Sequence, residues 1–432
     1  MSATPERVAI TGGGAVCGAG LTVDEIWNAV VTGRTAVKPI QHWDGSRWPT
    51  RVAAEVVGVD NRTLVEDRKL HKTISRTDLF GLYAARRAID DSGVAAVRAA
   101  LGESAAAQFS DRCGVFAGSG GGTYGSNYDF FPLLTTAQGD LRVFGRELAA
   151  TVNPMWLLKN LPNNVLCHVG IRHSFKGTNA CITNHCVSGS MAVAEAAAAI
   201  RHGEADRAVA VGHDAPIEPE TVFHYASAGL LAREELRPFS AERDGTVLGE
   251  GAAAVMLETL VEAKQRGAAL HGEHLGSGCC NEAMGVIELR PDGDGMARAI
   301  QLALADANVS PRAVGMIVAH GNGTLVSDAS EALAIREVFG ASPPPVTGFK
   351  WAFGHLIAAS GTLDLVLALK ALRERRVPGI HSLTALDPAL ALLPVSAKSQ
   401  SPRSDIALVL CRGFGSLNVA TLVRAIRPSP PV

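Results

Sequence analysis

Residues 177–203 read GTNACITNHCVSGSMAVAEAAAAIRHG. The stretch passes from a short apolar run through small polar residues into an alanine-rich segment at 187–200 of strong helix propensity. Arg201, His202 and Gly203 close that segment with a cationic last turn and a C′ glycine. Working outward, the same unit of β-branched or Ala/Val run, small-residue turn and helical segment recurs at 7–14, 112–122, 207–213 and 314–323. It returns without an evident helix at 405–416. Runs that are apolar throughout read as strands buried on both faces, in a parallel or mixed sheet covered by helices. The expected class is therefore α/β. Recurrence in the first and last thirds predicts an internal duplication, with the polar, charged bridge at 258–267 as its seam. That gives two halves, residues 1–258 and 259–432. The segment 119–160, rich in Gly, Tyr, Phe, Thr and Asn, reads as an excursion of the kind that shapes a substrate mouth or a subunit interface. The tail after Pro428 reads as disordered.

Composition narrows the function. Of 432 residues 47% are hydrophobic and 19% charged, with aromatics at 5% and 45 glycines, so the core is expected to be Ala, Val, Leu and Ile packed close to backbone. An intrinsically disordered chain is excluded. Lys and Arg total 40 against 42 for Asp and Glu, so no global basic field draws the chain to nucleic acid or an anionic membrane. The opening MSATPERVAI has no secretory pattern, and no apolar stretch approaches the ~18–20 residues of a bilayer span, so a soluble cytoplasmic protein is expected. The eight cysteines stand without CxxC pairs, which argues against both a disulfide framework and a zinc site. No metal is expected, even where Cys181, His185 and Cys186 cluster.

Cys186 falls where the alanine-rich helix begins. Unpaired N–H groups and the positive end of the helix dipole at that place predict a lowered thiol pKa and a nucleophile. Ser188, Gly189 and Ser190 are small enough to admit a substrate. Two histidines strengthen the reading. His320 ends the apolar run 314–319 and opens the turn GNGT, ahead of a helix carrying Asp328 and Glu331. His355 ends FKWAFGH and opens a helical run from Leu356 to about Arg375. Both are expected where a strand gives way to a helix, the sheet edge at which α/β proteins bind ligands. A thiol with two imidazoles suits acyl transfer: sulfur forms a thioester, and neutral imidazole N–H groups stabilise developing negative charge or move a proton. Nucleotide chemistry has little support. TGGGAVCGAG at 11–20 puts Cys17 where GxGxxG needs its third glycine, and neither GxxxxGK[ST] nor GxSxG occurs. The glycines are expected to serve close strand–helix packing instead.

The motifs VAITGGGAVCGAG (8–20), NHCVSG (184–189), GEADRAVAVGHD (203–214), FSAERDGTVLGEGAA (239–253), HGNGT (320–324), KWAFGHLIAASG (350–361) and GFGSLN (413–418) stand in one order. From Arg7 to about Val423 the chain thereby resembles the β-ketoacyl-[acyl carrier protein] synthases of the thiolase superfamily. The resemblance implies a five-layer αβαβα fold of two thiolase-like halves, 1–258 with the nucleophile and 259–432 with both histidines. It also implies a dimer, either of identical chains or with a chain-length-factor-like subunit. By the resemblance Cys186 accepts the acyl group, His320 and His355 serve decarboxylation and condensation, and Lys350 orders the site with Asp364 in place of a usual Glu. Glu331 and Asp328 would support it. Backbone N–H groups of Cys186 and Phe414 would form an oxyanion hole, Phe414 would gate malonyl entry, and Asn322, Thr324, His185 and Gly415 would meet pantetheine or substrate. No metal or bound cofactor is implied, since the substrates ride on the phosphopantetheine of an acyl carrier protein.

Departures point to a specialised pathway. Asn184-His185 precede the cysteine where Thr-Ala is usual, Asn322 replaces a threonine, Arg412 an aromatic and Ser416 a glycine. The Asn184-His185 pair keeps open a non-elongating acyltransferase, and a chain-length-factor-like subunit is the other alternative. For the acidic carrier protein, the densest basic cluster is Arg68, Lys69, His71, Lys72 and Arg76, with Arg142 and Arg146 as second candidates.

Overall fold

The computed structural model describes residues 6–48, 50–121 and 130–426; the tail after Pro428 lies outside them. The recurring apolar runs form one sheet. Its first five strands are β1 (Val8–Cys17), β2 (Cys113–Ser119), β3 (Asn179–Ile182), β4 (Arg207–Asp214) and β5 (Gly251–Thr259). They lie in the order β3-β2-β4-β5-β1. The next five are β6 (Gly272–Asn281), β7 (Met316–Val318), β8 (Val346–Thr347), β9 (Ile406–Gly413) and β10 (Leu417–Ala425), in the order β8-β7-β9-β10-β6. The two orders are the same. In each set the first strand pairs antiparallel with the fifth and the fifth antiparallel with the fourth, while the fourth, second and third run parallel. The sets join where Val8–Ile10 of β1 pairs antiparallel with Gly272–His274 of β6.

Helices complete five layers. Helix α1 (Arg76–Ser92) covers the outer face of β1, β5 and β4. Helices α2 (Ser188–Arg201) and α5 (Ser360–Arg373) pack on each other between the two sets, and α3 (Asp294–Asp306) with α4 (Leu325–Phe339) covers the far side. A helix sandwiched between sheets must be apolar nearly all round, and α5 buries Leu363, Leu365, Leu367, Ala368 and Leu372 on successive faces. The fold is the expected α/β duplication. The TGGG glycines serve packing as expected: a Cβ at Gly12 or Gly14 would strike the Ala88 or Ala84 carbonyl of α1.

The duplication reaches a detail the sequence reading did not align. Ahead of α2, His185–Val187 forms a 3-10 turn that begins at φ +54°. Ahead of α5, Ile357–Ala359 forms a 3-10 turn that begins at φ +46°. Ser188-Gly189-Ser190 follows the first and Ser360-Gly361-Thr362 the second. These elbows abut. A Cβ at Gly189 would lie 2.5 Å from both Ala358 O and Thr362 Oγ1 and 3.1 Å from Gly212 Cα. Overpacking of this kind costs about 1–3 kcal/mol, and backbone on one side leaves little room to relax. Gly189→Ala is expected to lower stability by about 3 kcal/mol in denaturant titration; a loss below about 0.5 kcal/mol would show that the elbows yield.

Within the excursion, Phe131–Ala137, Leu141–Thr151 and Trp156–Lys159 are helical, and of their residues only Ala137 is buried. Residues 130–160 are an excursion from the core, as their composition indicates, and residues 122–129 of the segment lie outside the described residues. Among the described residues no helix is long and apolar enough to cross a membrane.

Candidate active site

Cys186 sits in the first elbow, 4% exposed, at one wall of a cavity of about 60 Å³. His320, His355, Asn322, Thr324 and Phe414 line the same cavity. Residues separated by more than a hundred positions thus line one cavity. Two larger clefts, of about 490 and 840 Å³, share no lining residue with it.

Each histidine is aimed by backbone. His320 follows β7, and the loop after it is tied down by α4: Glu331 accepts the His320 and Gly321 N–H groups at 2.6 and 2.9 Å. Asp328 accepts those of Gly323 and Phe239 at 3.1 and 2.8 Å. His320 Nδ1 accepts the Arg412 N–H at 3.3 Å, which leaves the ring proton on Nε2. His355 Nδ1 accepts the Ile357 N–H at 3.3 Å and faces Ser360 Oγ at 2.9 Å, so its proton is on Nε2 as well. The two rings stand edge to face with centroids 5.2 Å apart. Burial, reinforced by the nearby Lys350 charge, holds both imidazoles well below their usual pKa. They are neutral N–H donors. Burial opposes the charge on Lys350, but Asp364, 2.8 Å from Nζ, more than offsets it, and both side chains are fully buried.

Several expectations need correction. Cys186 is no low-pKa thiol: burial holds it well above its ordinary value, with the Cys411 and Asp214 charges adding to the rise and Lys350 opposing it. Removal from water outweighs the helix terminus. His355 does not end a strand, because β8 stops at Thr347 and Lys350–Phe353 is a helical turn. The FKWAF run is apolar because it is buried in the core, so apolarity there did not mean strand. Arg76 is withdrawn from the basic cluster, its guanidinium holding Glu250 at 2.5 Å and the Val56 carbonyl at 2.8 Å. Arg68, Lys69 and Lys72 are exposed around a 3-10 turn at Leu70–Lys72, and Arg142 and Arg146 are exposed on a helix. Gly415 does not line the cavity; it donates its N–H to Val286 O and accepts from Asn281 Nδ2.

The departures are accommodated locally. Asn322 Oδ1 accepts both the N–H and Oγ1–H of Thr324, at 3.0 and 2.9 Å. Arg412 is buried with its guanidinium on Asn418 Oδ1 at 2.8 Å and Glu282 at 3.4 Å, which neutralises it. Ser416 adopts φ +59°, and its Oγ is satisfied by Gly285 and Glu288 carbonyls. His185 lies directly against the thiol, Nδ1 to Sγ 3.0 Å, and stacks on Phe414 with centroids 4.6 Å apart. Two residues were missed: Tyr225, on a helix over Pro219–Ser227, and Asp214, whose carboxyl burial pushes up to about 7. Nothing local in the sequence marks Tyr225; Asp214 stood in view inside GHD at the end of β4. Among the described residues no three His, Cys, Asp or Glu side chains form a metal-binding group.

A duplicated mixed sheet with a thiol and two neutral imidazoles in one cavity defines a thiolase-fold condensing enzyme. Residues 5–263 match the family described as beta-ketoacyl synthase, N-terminal domain, and residues 271–384 match beta-ketoacyl synthase, C-terminal domain. The chain belongs to the β-ketoacyl synthase family, condensing enzymes of the acyltransferase class. The 3-oxoacyl-[acyl-carrier-protein] synthase 2 of Coxiella burnetii is 32% identical to it over 96% of this chain and 98% of its own length. The ishigamide ketosynthase/chain length factor superposes with a TM-score of 0.85 at 27% identity, covering 98% of this chain and 100% of that one. A type II PKS acyl-carrier protein in complex with its ketosynthase bound to the hexaketide, AntDE:AntF, gives 0.82 at 28% identity with the same coverage.

Proposed function

We propose that the chain catalyses decarboxylative condensation of an acyl thioester with malonyl-carrier to give β-ketoacyl-carrier, in fatty acid or type II polyketide synthesis. The observation that carries this is the single cavity shared by Cys186, His320 and His355. Cys186 takes the acyl group from the carrier's phosphopantetheine thiol. Backbone N–H groups of Cys186 and Phe414 serve as oxyanion donors, and Phe414, at the cavity wall, gates the malonyl unit. The two Nε2–H groups hold the malonyl thioester oxygen as CO₂ departs, and the resulting enolate attacks the acyl carbon. Carbanion formation comes from CO₂ loss, so the cycle calls on neither metal nor bound cofactor. Lys350 and Asp364 order the histidines electrostatically, while Glu331 and Asp328 fix the loop that carries His320. Asn322 and Thr324 line the path of the pantetheine arm.

The partners follow. An acidic carrier protein would dock on Arg68, Lys69 and Lys72. The half-exposed edge strand β3 supports pairing with a second chain, identical or chain-length-factor-like. A cytoplasmic setting fits this chemistry.

The test is intact-protein mass spectrometry with a panel of acyl-carrier thioesters. The parent is expected to gain one acyl mass, and Cys186→Ala none. Loading followed by no condensation with malonyl-carrier would favour the non-elongating acyltransferase, and no loading from any donor the partner-subunit role.

A further inference from the structure

The thiol that this reading makes the nucleophile is held protonated by burial, and nothing in the assigned roles takes its proton. We propose that His185 is the general base for Cys186 and that Tyr225 holds the imidazole in its working tautomer. The proposal rests on the acyl-transfer reading, but only through the need for a reactive sulfur.

Geometry carries it. Neighbouring side chains on a helix or turn normally diverge. The left-handed φ of +54° at His185 instead folds its ring back onto the following residue, with Nδ1 3.0 Å from Sγ. The elbow imposes this conformation, as it does on Ile357 of its twin, and at His185 the conformation puts a titratable ring over the sulfur. The other ring nitrogen, Nε2, is 3.2 Å from Tyr225 Oη. With the ring proton on Nε2 donated to Oη, Nδ1 is left as an acceptor facing the sulfur. The ring cannot swing away: Phe414 stacks on it at 17°, and Tyr225 lies nearly parallel at 18° with centroids 6.2 Å apart. Burial lowers the His185 pKa to about 4, so the imidazole is neutral at rest and takes the proton only in concert with bond formation at sulfur. Burial, then the Cys186 and Asp214 charges, keeps Tyr225 a neutral phenol.

The step balances. The Sγ–H proton passes to His185 Nδ1 as sulfur bonds to the thioester carbonyl carbon. On collapse the bond from that carbon to the pantetheine sulfur breaks, and the leaving thiolate recovers the proton from Nδ1 as free carrier thiol. His185 ends neutral. The charged and titratable groups facing the pair are Tyr225, Cys411, Asp214, Lys350 and His355.

The experiment reads alkylation of Cys186 by iodoacetamide, quantified on its own peptide across pH 7.5–9, which needs no acyl donor. That range lies above the Asp214 transition at about 7. The parent rate is expected to change less than about threefold across the window, since the base is already unprotonated. His185→Gln, which fills the site but accepts no proton, is expected to react about 100-fold more slowly at pH 7.5 and to rise about tenfold per pH unit. Tyr225→Phe removes one oxygen and leaves the ring; a fall of about tenfold, with the flat profile kept, is expected of a positioning residue. His185→Gln reacting within threefold of the parent with the same slope would overturn the proposal. Should that variant not fold, an unchanged rate in Tyr225→Phe would overturn it, and the tenfold fall would support it. A parent that alkylates with a flat profile yet loads no acyl group would refute the condensing role and leave the base assignment standing.

Discussion

His355→Ala is expected to leave acyl loading of Cys186 within about threefold of the parent while lowering condensation with malonyl-carrier by about 10²–10³-fold. The reason is the division of labour in the cavity. Loading needs the sulfur, its base and the backbone donors of Cys186 and Phe414, none of which His355 supplies. Decarboxylation places negative charge on the malonyl thioester oxygen, and an aimed donor to an oxyanion is worth about 3–4 kcal/mol. His355 is such a donor because Ile357 N–H and Ser360 Oγ fix Nδ1 from behind. Intact mass reports loading, and chromatographic quantitation of β-ketoacyl-carrier reports condensation. Equal loss of both, or of neither, would remove His355 from the decarboxylation step.

Lys350→Met is expected to destabilise the protein by about 3–5 kcal/mol. Asp364 is fully buried, and its Oδ1 finds no hydrogen-bond partner among the described residues, so without the ammonium an unpaired carboxyl remains in the core. The double replacement Lys350→Met with Asp364→Leu removes both charges and is expected to recover most of the loss, as replacing a whole buried pair often does. It should not recover condensation. Denaturant titration of the single and double variants measures the coupling; a single variant within 1 kcal/mol of the parent would mean that the pair is not isolated from water.

Much of this was legible in the residues. The apolar runs with their small-residue turns gave the class, because two-faced burial leaves no room for alternation. The recurrence at both ends gave the duplication, and the terminus of the alanine-rich helix pointed to Cys186. What failed was local inference about environment. A helix terminus lowers a thiol pKa only where water reaches the sulfur, and desolvation depends on what the rest of the chain brings over it. The FKWAF run is apolar through burial rather than strand pairing, and Arg76 sits among basic neighbours yet turns inward to Glu250. Tyr225 lies 40 positions from His185 and carries no local mark, so only folding could introduce it.

The abutting elbows are alike in shape and unequal in chemistry. Two copies of one architectural joint face each other across the approximate symmetry of the chain, and only one holds a reactive atom: Cys186 in the first corresponds to Ala358 in the second. The elbow without the thiol braces the one that has it and sets Ser360 against His355. The reaction centre therefore belongs to neither half alone, since Cys186 comes from one and His320 and His355 from the other.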